Sequence, residues 1–183
     1  FRIRLSSIDP IHLIDALLEL VGQSDRFCPY LHLSLQSGNT MILKRMKRRY
    51  TSEWVDERVA IARRLMPGLV LGADVMVGFP TETEEQFADT LQAIESLEIC
   101  YPHVFPYSAR GGTPAARIPR QVDPTTRKRR GASARALGQR IRQRVFARHL
   151  GSVASVLVER SVGLDRYNGR LTNYLPVRVE VGQ

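Results

Sequence analysis

Hydrophobic and polar residues alternate along Leu31–Gln36, and this period of two predicts a β-strand that Ser37-Gly38 ends. The leucines fall on one face, and His32, Ser34 and Gln36 fall on the other. A histidine, a hydroxyl and an amide suit hydrogen bonding to a ligand. A polar strand face that ends in a turn before a helix is typical of ligand sites in α/β enzymes. An edge strand with one solvated face explains the same pattern, so this stretch alone leaves both interpretations open.

The same patterns predict strands and helices in alternation over the first 150 residues. Further strands are predicted at Phe1–Ser7, Leu69–Gly78 and His103–Ser108, with helices between them. From Gly151 onward the pattern changes to strands at Ser155–Glu159 and within Gly169–Val181, separated by a polar loop at Val162–Asn168. Strands that alternate with helices imply parallel, right-handed crossovers, as in a barrel or an open doubly wound sheet.

Capping residues and apolar stripes place the helices. Asp9-Pro10 opens a short helix, Thr51 caps the helix that Pro67-Gly68 ends, and Asp123 caps a long helix that runs to about Leu150. The remaining predictions are a helix over Asn39–Arg49, a first-helix stripe of Ile11, Ile14, Leu17 and Leu18, and overlapping capping boxes at Thr81-x-x-Glu84 and Thr83-x-x-Gln86.

Asp74 is the one charged residue of the apolar strand Leu69–Gly78. Burying a carboxylate without a partner costs several kcal/mol, so Asp74 is a candidate site residue. A structural pairing with a backbone amide or an arginine explains it as well. The four predicted strands end in polar or glycine-rich segments, which is the layout of a ligand site at one mouth of a barrel: Ser6-Ser7, Gln36-Ser37-Gly38, Gly78-Phe79-Pro80 and Ser108-Ala109-Arg110.

Positive charge is concentrated in the long helix. The formal net charge is +9, and the segment from Asp123 to His149 holds nine Lys or Arg residues against one acid. Concentrated positive charge favours a polyanion such as RNA or DNA as partner. A solvated helix face explains it as well.

Composition narrows the class of protein. The chain has 183 residues, 43% of them hydrophobic, and two cysteines, Cys28 and Cys100, in no metal or redox motif. They are interpreted as small hydrophobic residues, which fits a reducing cytoplasm. No apolar run has the length of a membrane span. The chain begins without Met and stops directly after a strand-like run, so we expect an internal fragment of a longer protein.

Several of these motifs together resemble the radical S-adenosylmethionine methylthiotransferases. The resemblance covers the chain to about Ala116, and the matching stretches occur in the family's order: Arg4–Pro10, His32–Gly38, Leu43–Met46, Asp74–Pro80, His103–Ser108 and Gly112–Ala116. The sequence departs from the family's pattern at Ser34, Lys47, Thr81 and Gly111.

The resemblance implies an α/β fold: the C-terminal part of a partial (β/α) radical SAM barrel over residues 1–118, a linker and basic helix over 119–150, and the start of a TRAM-like β domain over 151–183. It implies S-adenosylmethionine and two 4Fe–4S clusters in the full-length protein. The cluster cysteines are expected upstream of Phe1, in a Cys-x-x-x-Cys-x-x-Cys loop and an N-terminal domain, so this fragment alone is expected to be inactive. An electron donor and a sulfur source are implied as partners, and a membrane is not.

Within the family, Ser6–Pro10, His103–Ser108 and Thr172–Tyr174 look most like the branch that methylthiolates carbon 2 of threonylcarbamoyladenosine beside the tRNA anticodon. Branches that act on isopentenyladenosine in tRNA or on a ribosomal-protein aspartate remain alternatives. A non-catalytic, basic RNA-binding fragment is the alternative from another class.

The resemblance also implies roles for residues. It implies that Ser34, Gln36, Ser37 and Asp74 contact S-adenosylmethionine, that Val104 and Phe105 line its adenine, that Tyr107 and Arg110 face the entering nucleotide, and that Arg127, Lys128, Arg129 and Arg130 hold tRNA phosphates. It places no catalytic residue and no metal ligand in this chain.

Overall fold

A four-stranded parallel sheet forms the centre of the computed structural model, which describes residues 1–181 and leaves the last two positions of the predicted β domain outside the described part. Its strands are β1 (Ile3–Ile8), β2 (Phe27–Gln36), β3 (Val70–Val77) and β4 (Ile99–Pro106), and they lie side by side in chain order. A doubly wound sheet reverses its strand order. An unreversed parallel order is that of a barrel segment, so the barrel alternative is confirmed.

Five α-helices connect or follow these strands: α1 (Asp15–Gly22), α2 (Thr40–Arg45), α3 (Ser52–Leu65), α4 (Glu84–Ser96) and α5 (Pro124–Ala147). Side chains of Thr51 and Asp123 cap α3 and α5 as predicted. The capping box of α4 is formed by Thr83 and Gln86. The alternative box at Thr81 is wrong, because Thr81 lies in the preceding turn with φ of 71°.

The core lies between one face of the sheet and the helices. Leu31, Leu33 and Leu35 of β2 are each at most 1% exposed, as their alternation predicts, and Val75 and Val77 of β3 are fully buried beside them. The opposite face of the sheet is concave and carries the polar set of β2. Burial on one face only is what allows the other face to receive a ligand.

Some predicted boundaries are wrong for local reasons. Strand β2 begins at Phe27, before the predicted Leu31, because Phe27 pairs with Ile3 of β1, and β4 likewise begins at Ile99. Helix α2 ends at Arg45, before the predicted end at Arg49. Ile14 is 53% exposed and is the N-cap residue of α1, so it does not join the predicted apolar stripe.

The C-terminal segment forms a small antiparallel sheet in the order β5 (Val156–Gly163), β6 (Arg166–Leu171) and β7 (Pro176–Glu180). The predicted polar loop is therefore only a short turn. The turn between β6 and β7 docks at the N-terminal ends of the barrel strands, where the Tyr174 ring lies 5.2 Å from the Tyr30 ring. Arg4 stacks over Tyr174 at 4.3 Å. This contact is at the opposite end of the sheet from the predicted ligand mouth.

Within residues 1–181, no helix combines the length and the apolar character needed to cross a membrane.

Candidate functional site

The C-terminal ends of three strands turn away from the sheet through unusual backbone angles. Ser7, the last residue but one of β1, has φ of 55°, Gln36 at the end of β2 has 62°, and Gly78 after β3 has 73°. A left-handed conformation at a residue other than glycine costs of order 1–3 kcal/mol and is concentrated at ligand sites. Ser7 and Gln36 carry this cost, whereas Gly78 does not, and all three lie at the same end of adjacent strands, where the sequence predicts the site.

The turn at Gln36 separates its side chain from that of Ser37. The Ser37 amide donates to the Leu35 carbonyl at 2.8 Å, which closes a three-residue turn around Gln36. Gln36 lines the cavity at the strand ends. Ser37 is fully buried, with its hydroxyl 3.1 Å from Thr90 Oγ1, so this predicted cofactor contact is turned toward α4 and holds the turn in place.

Two histidines on the concave face are the partners of the Asp74 carboxylate. His32 Nε2 lies 3.2 Å and His103 Nδ1 lies 3.6 Å from Asp74 Oδ1. Tyr30 Oη lies 3.3 Å from His32 Nδ1. If Tyr30 donates to Nδ1, then Nε2 carries the proton that Asp74 accepts. The carboxylate is thereby oriented on the open face, with polar groups available to a ligand's hydroxyls.

Ser34 lies on the same face as His32, one pleat closer to the mouth. Its carbonyl accepts a hydrogen bond from Tyr50 Oη at 2.7 Å. Burial raises the pKa of Tyr50, so its phenol stays protonated and remains a donor. This bond fixes the end of β2 from the helix side and leaves the Ser34 side chain on the concave face.

Glu82 organises the turn after β3, and the sequence analysis did not identify it. Its carboxylate is fully buried and accepts hydrogen bonds from the Gly78 amide at 2.6 Å and from Arg130 Nη1 at 2.7 Å. Burial raises the pKa of Glu82 against the lowering effect of these two donors. An acid four residues after a strand-end glycine was the available signal.

Arg127 and Arg130 fasten α5 to the strand ends. The side chain of Arg127 crosses Gly78, so closely that an added Cβ there would lie 2.2 Å from Arg127 Cγ, and its Nη1 donates to the Tyr107 carbonyl. Arg130 is 3% exposed beside Glu82. Both were predicted to hold tRNA phosphates, and the buried guanidinium of Arg130 has no surface to offer one.

The other α5 cations lie on the surface, and carboxylates of α4 face several of them. Arg129 pairs with Glu84 at 2.7 Å, and Arg144 pairs with Glu95 at 2.5 Å. Lys128 is exposed and has no ion-pair partner in the described part of the chain. Exposed pairs contribute about 0–1 kcal/mol, so a phosphate can replace the carboxylate at small cost.

A cavity of about 730 Å³ opens at the C-terminal ends of β2, β3 and β4. Its apolar lining includes Met46, Met76, Phe79 and Phe105. Tyr107, which is 8% exposed, packs edge-on against Phe79 at 5.5 Å, and its hydroxyl has no hydrogen-bond partner within residues 1–181. The rim of the cavity carries four cationic side chains: Arg45, Lys47, Arg48 and Arg110. An apolar floor with a few polar groups is typical of a small-molecule site.

The predicted adenine contacts divide between two faces. Phe105 is 48% exposed and lines this cavity, whereas the Val104 side chain packs against the core on the helix side. Adjacent strand residues face opposite ways, so Val104 can offer only its backbone to a ligand.

Comparison with known proteins finds a family model and relatives that match. The model of the Radical SAM superfamily matches residues 1–94. A threonylcarbamoyladenosine tRNA methylthiotransferase of Rickettsia prowazekii (strain Madrid E) is 43% identical over 98% of this chain and 41% of its own length. One of Bacillus subtilis (strain 168) is 39% identical over 86% of this chain and 35% of its own.

A tRNA-2-methylthio-N(6)-dimethylallyladenosine synthase of Campylobacter curvus (strain 525.92) is 34% identical over 97% of this chain and 41% of its length. The chain thus spans about two fifths of the length of these relatives. Among solved structures, coproporphyrinogen III oxidase from Escherichia coli, described as a radical SAM enzyme, matches with a TM-score of 0.61 and 20% identity, over 76% of this chain and 32% of that one. This likeness concerns the fold.

Proposed function

The chain belongs to the radical SAM superfamily, and we propose that it is part of a tRNA methylthiotransferase whose substrate is threonylcarbamoyladenosine beside the anticodon, modified at carbon 2. The observation that carries the proposal is 43% identity along 98% of this chain to a relative with that name. Relatives named for dimethylallyladenosine are 34–38% identical, which makes that nucleoside the second candidate.

The residues present fit S-adenosylmethionine. The cavity of about 730 Å³ lies within the range of small-molecule sites, and the part of its apolar floor at Met76 and Phe105 suits an adenine ring. The unpaired hydroxyl of Tyr107 is a buried polar group that a ligand would satisfy. Gln36, Asp74 and Phe105 would hold the cofactor, with Ser34 on the adjoining concave face. When bound, S-adenosylmethionine supplies the deoxyadenosyl radical that abstracts hydrogen from the substrate carbon.

The residues present do not fit a 4Fe–4S cluster. Such a cluster needs several cysteine thiolates around one site. This chain has two cysteines, Cys28 half-buried on β2 and Cys100 buried on β4, and burial raises the pKa of the Cys100 thiol to about 12. The cluster ligands are therefore proposed to lie in other parts of the full-length protein, with a reductant and a sulfur source as further partners.

In this proposal, the residues of this chain bind the ligands and hold the polar groups of the site in position. His32 and His103 hold the Asp74 carboxylate in one orientation on the concave face. Glu82 and Arg130 hold the turn after β3 in place from the side of α5. Lys128 and Arg129 are proposed to bind tRNA phosphates in the cytoplasm, where they would add affinity more than sequence specificity. Arg110, at the rim of the cavity, is proposed to face the entering nucleotide.

Nucleoside analysis tests the proposal. A strain that lacks the gene should lose the 2-methylthio form of threonylcarbamoyladenosine, keep threonylcarbamoyladenosine itself, and regain the modification when the full-length gene is returned. Liquid chromatography with mass spectrometry of digested tRNA reports both nucleosides. Unchanged 2-methylthio-threonylcarbamoyladenosine together with loss of the dimethylallyl counterpart would transfer the assignment to the second candidate.

A further inference from the structure

The rim of the strand-end cavity is cationic. Four of its lining residues are cationic, and no Asp or Glu is among them: Arg45, Lys47, Arg48 and Arg110. In a cleft with an apolar floor, like charges raise the local potential and favour an anionic ligand group. The charge of this rim therefore identifies an anion subsite beside an apolar one.

Two of the four cations already have partners. Arg45 Nη1 donates to Thr81 Oγ1, and Arg48 Nη1 lies 3.1 Å from Asp9 Oδ2. Lys47 and Arg110 are exposed at the rim, and neither side chain has an ion-pair or hydrogen-bond partner within residues 1–181. These two remain available to a ligand.

The backbone at Lys47 adds an independent observation. Lys47 follows the C-cap of α2 with φ of 58°, and its amide donates to the Lys44 carbonyl at 2.9 Å. This position after a helix favours glycine or asparagine, and a lysine there is unfavourable because of its Cβ. No hydrogen bond or ion pair of the side chain within the described residues offsets that cost, and backbone strain of this kind is concentrated at ligand sites.

We propose that Lys47, together with Arg110, binds the carboxylate of the threonylcarbamoyl group on the substrate adenosine. The inference rests on the proposed function and adds the basis of its selectivity. Met46 and Phe79 supply an apolar surface for the rest of the modified base. A dimethylallyl group carries no charge and would leave the two cations without a counter-ion. A site built around a polar substrate group discriminates strongly against an analogue that lacks it.

Kinetics of the full-length holoenzyme test this inference, with Lys47→Asn as the variant because asparagine tolerates the left-handed backbone. The substrates are tRNA bearing threonylcarbamoyladenosine and tRNA bearing dimethylallyladenosine. We expect kcat/KM for the first substrate to fall about tenfold to hundredfold, as for loss of a charged hydrogen bond. The KM for S-adenosylmethionine should stay unchanged. Lys47→Arg should retain most of the wild-type kcat/KM, and Lys44→Gln, at an exposed position of the preceding helix α2, should act as wild type.

Other anions give different results, and each overturns the inference. If Lys47 binds the carboxylate of S-adenosylmethionine, Lys47→Asn raises the cofactor KM with every tRNA. If it binds a phosphate, the Kd of unmodified tRNA also rises and its salt slope falls by about 1. If kcat/KM is unchanged in Lys47→Asn, this inference is wrong and the proposed function stands. A wild-type enzyme that leaves threonylcarbamoyladenosine unmodified overturns the proposed function, and the inference with it.

Discussion

Removal of Arg130 should destabilise the protein far more than removal of its neighbour Arg129. Arg130 Nη1 donates to Glu82 Oε2 at 2.7 Å and to the Glu82 carbonyl at 3.2 Å, and its Nη2 donates to Glu84 Oε1 at 2.9 Å. The two side chains of the Arg130–Glu82 pair are 3% and 0% exposed. Arg130→Met fills similar space but leaves the Glu82 carboxylate buried without its counter-ion, which costs about 3–5 kcal/mol.

Urea unfolding followed by circular dichroism measures this cost, with the free energy extrapolated to water. Arg129→Met is the matched control, because it removes an exposed partner of Glu84 and should cost less than about 1 kcal/mol. The double variant Arg130→Met with Glu82→Gln should recover part of the loss, since no buried charge then remains. Equal costs for Arg130→Met and Arg129→Met would refute the reasoning.

The pH dependence gives a second check on the same pair. Burial raises the pKa of Glu82, so the folded state binds this proton more tightly than the unfolded state does. The contribution of Glu82 to stability therefore falls as pH rises from its unfolded pKa through its folded pKa. Arg130→Met removes the attraction that opposes this shift. The deficit of that variant should shrink as pH is lowered from about 8 to about 5, and a deficit that grows would contradict the direction of the shift.

Three further predictions concern packing. Cys100 should resist iodoacetamide at about pH 8 until the protein is unfolded, because burial raises its pKa to about 12 and the thiolate is the reactive form; labelling of the native protein, read by mass spectrometry, would contradict this. Gly38→Ala should cost about 1–3 kcal/mol in urea unfolding, since its Cβ would meet Ala93 Cβ at 2.6 Å, whereas Gly111→Ala, with open space around it, should be neutral. Tyr174→Ala should speed limited proteolysis between α5 and β5, because that ring docks the small sheet; an unchanged cleavage rate would refute this docking role.

The face of β2 was predictable because alternation alone decides which side of a strand each residue occupies. His32 and Gln36 therefore lie on the open face as predicted. Ser37 does not, because it has the parity of the leucines and is buried toward α4, and its predicted cofactor contact came from the resemblance and not from the alternation. No local pattern in the sequence predicts the left-handed backbone of Gln36. The pairing of Asp74 with His32 and His103 depends on the register of three strands, which sequence spacing does not specify.

The charges of α5 show a different limit of sequence reasoning. Net charge counts arginines, but it does not tell which of them face the acids of a neighbouring helix. Arg130 is buried against Glu82, whereas its neighbour Lys128 is exposed. Glu82 itself was missed because its role arises from the close approach of α5 to the turn after β3, a contact between segments nearly fifty residues apart.

The most direct test of the central proposal is a single-turnover reaction of the purified full-length protein with reconstituted clusters, S-adenosylmethionine, a reductant, a sulfur source and tRNA bearing threonylcarbamoyladenosine. Mass spectrometry of the digested tRNA should show the 2-methylthio form of that nucleoside, with 5′-deoxyadenosine as co-product. Deoxyadenosine formation without methylthiolation of this tRNA, and with methylthiolation of a tRNA bearing dimethylallyladenosine, would contradict the proposal.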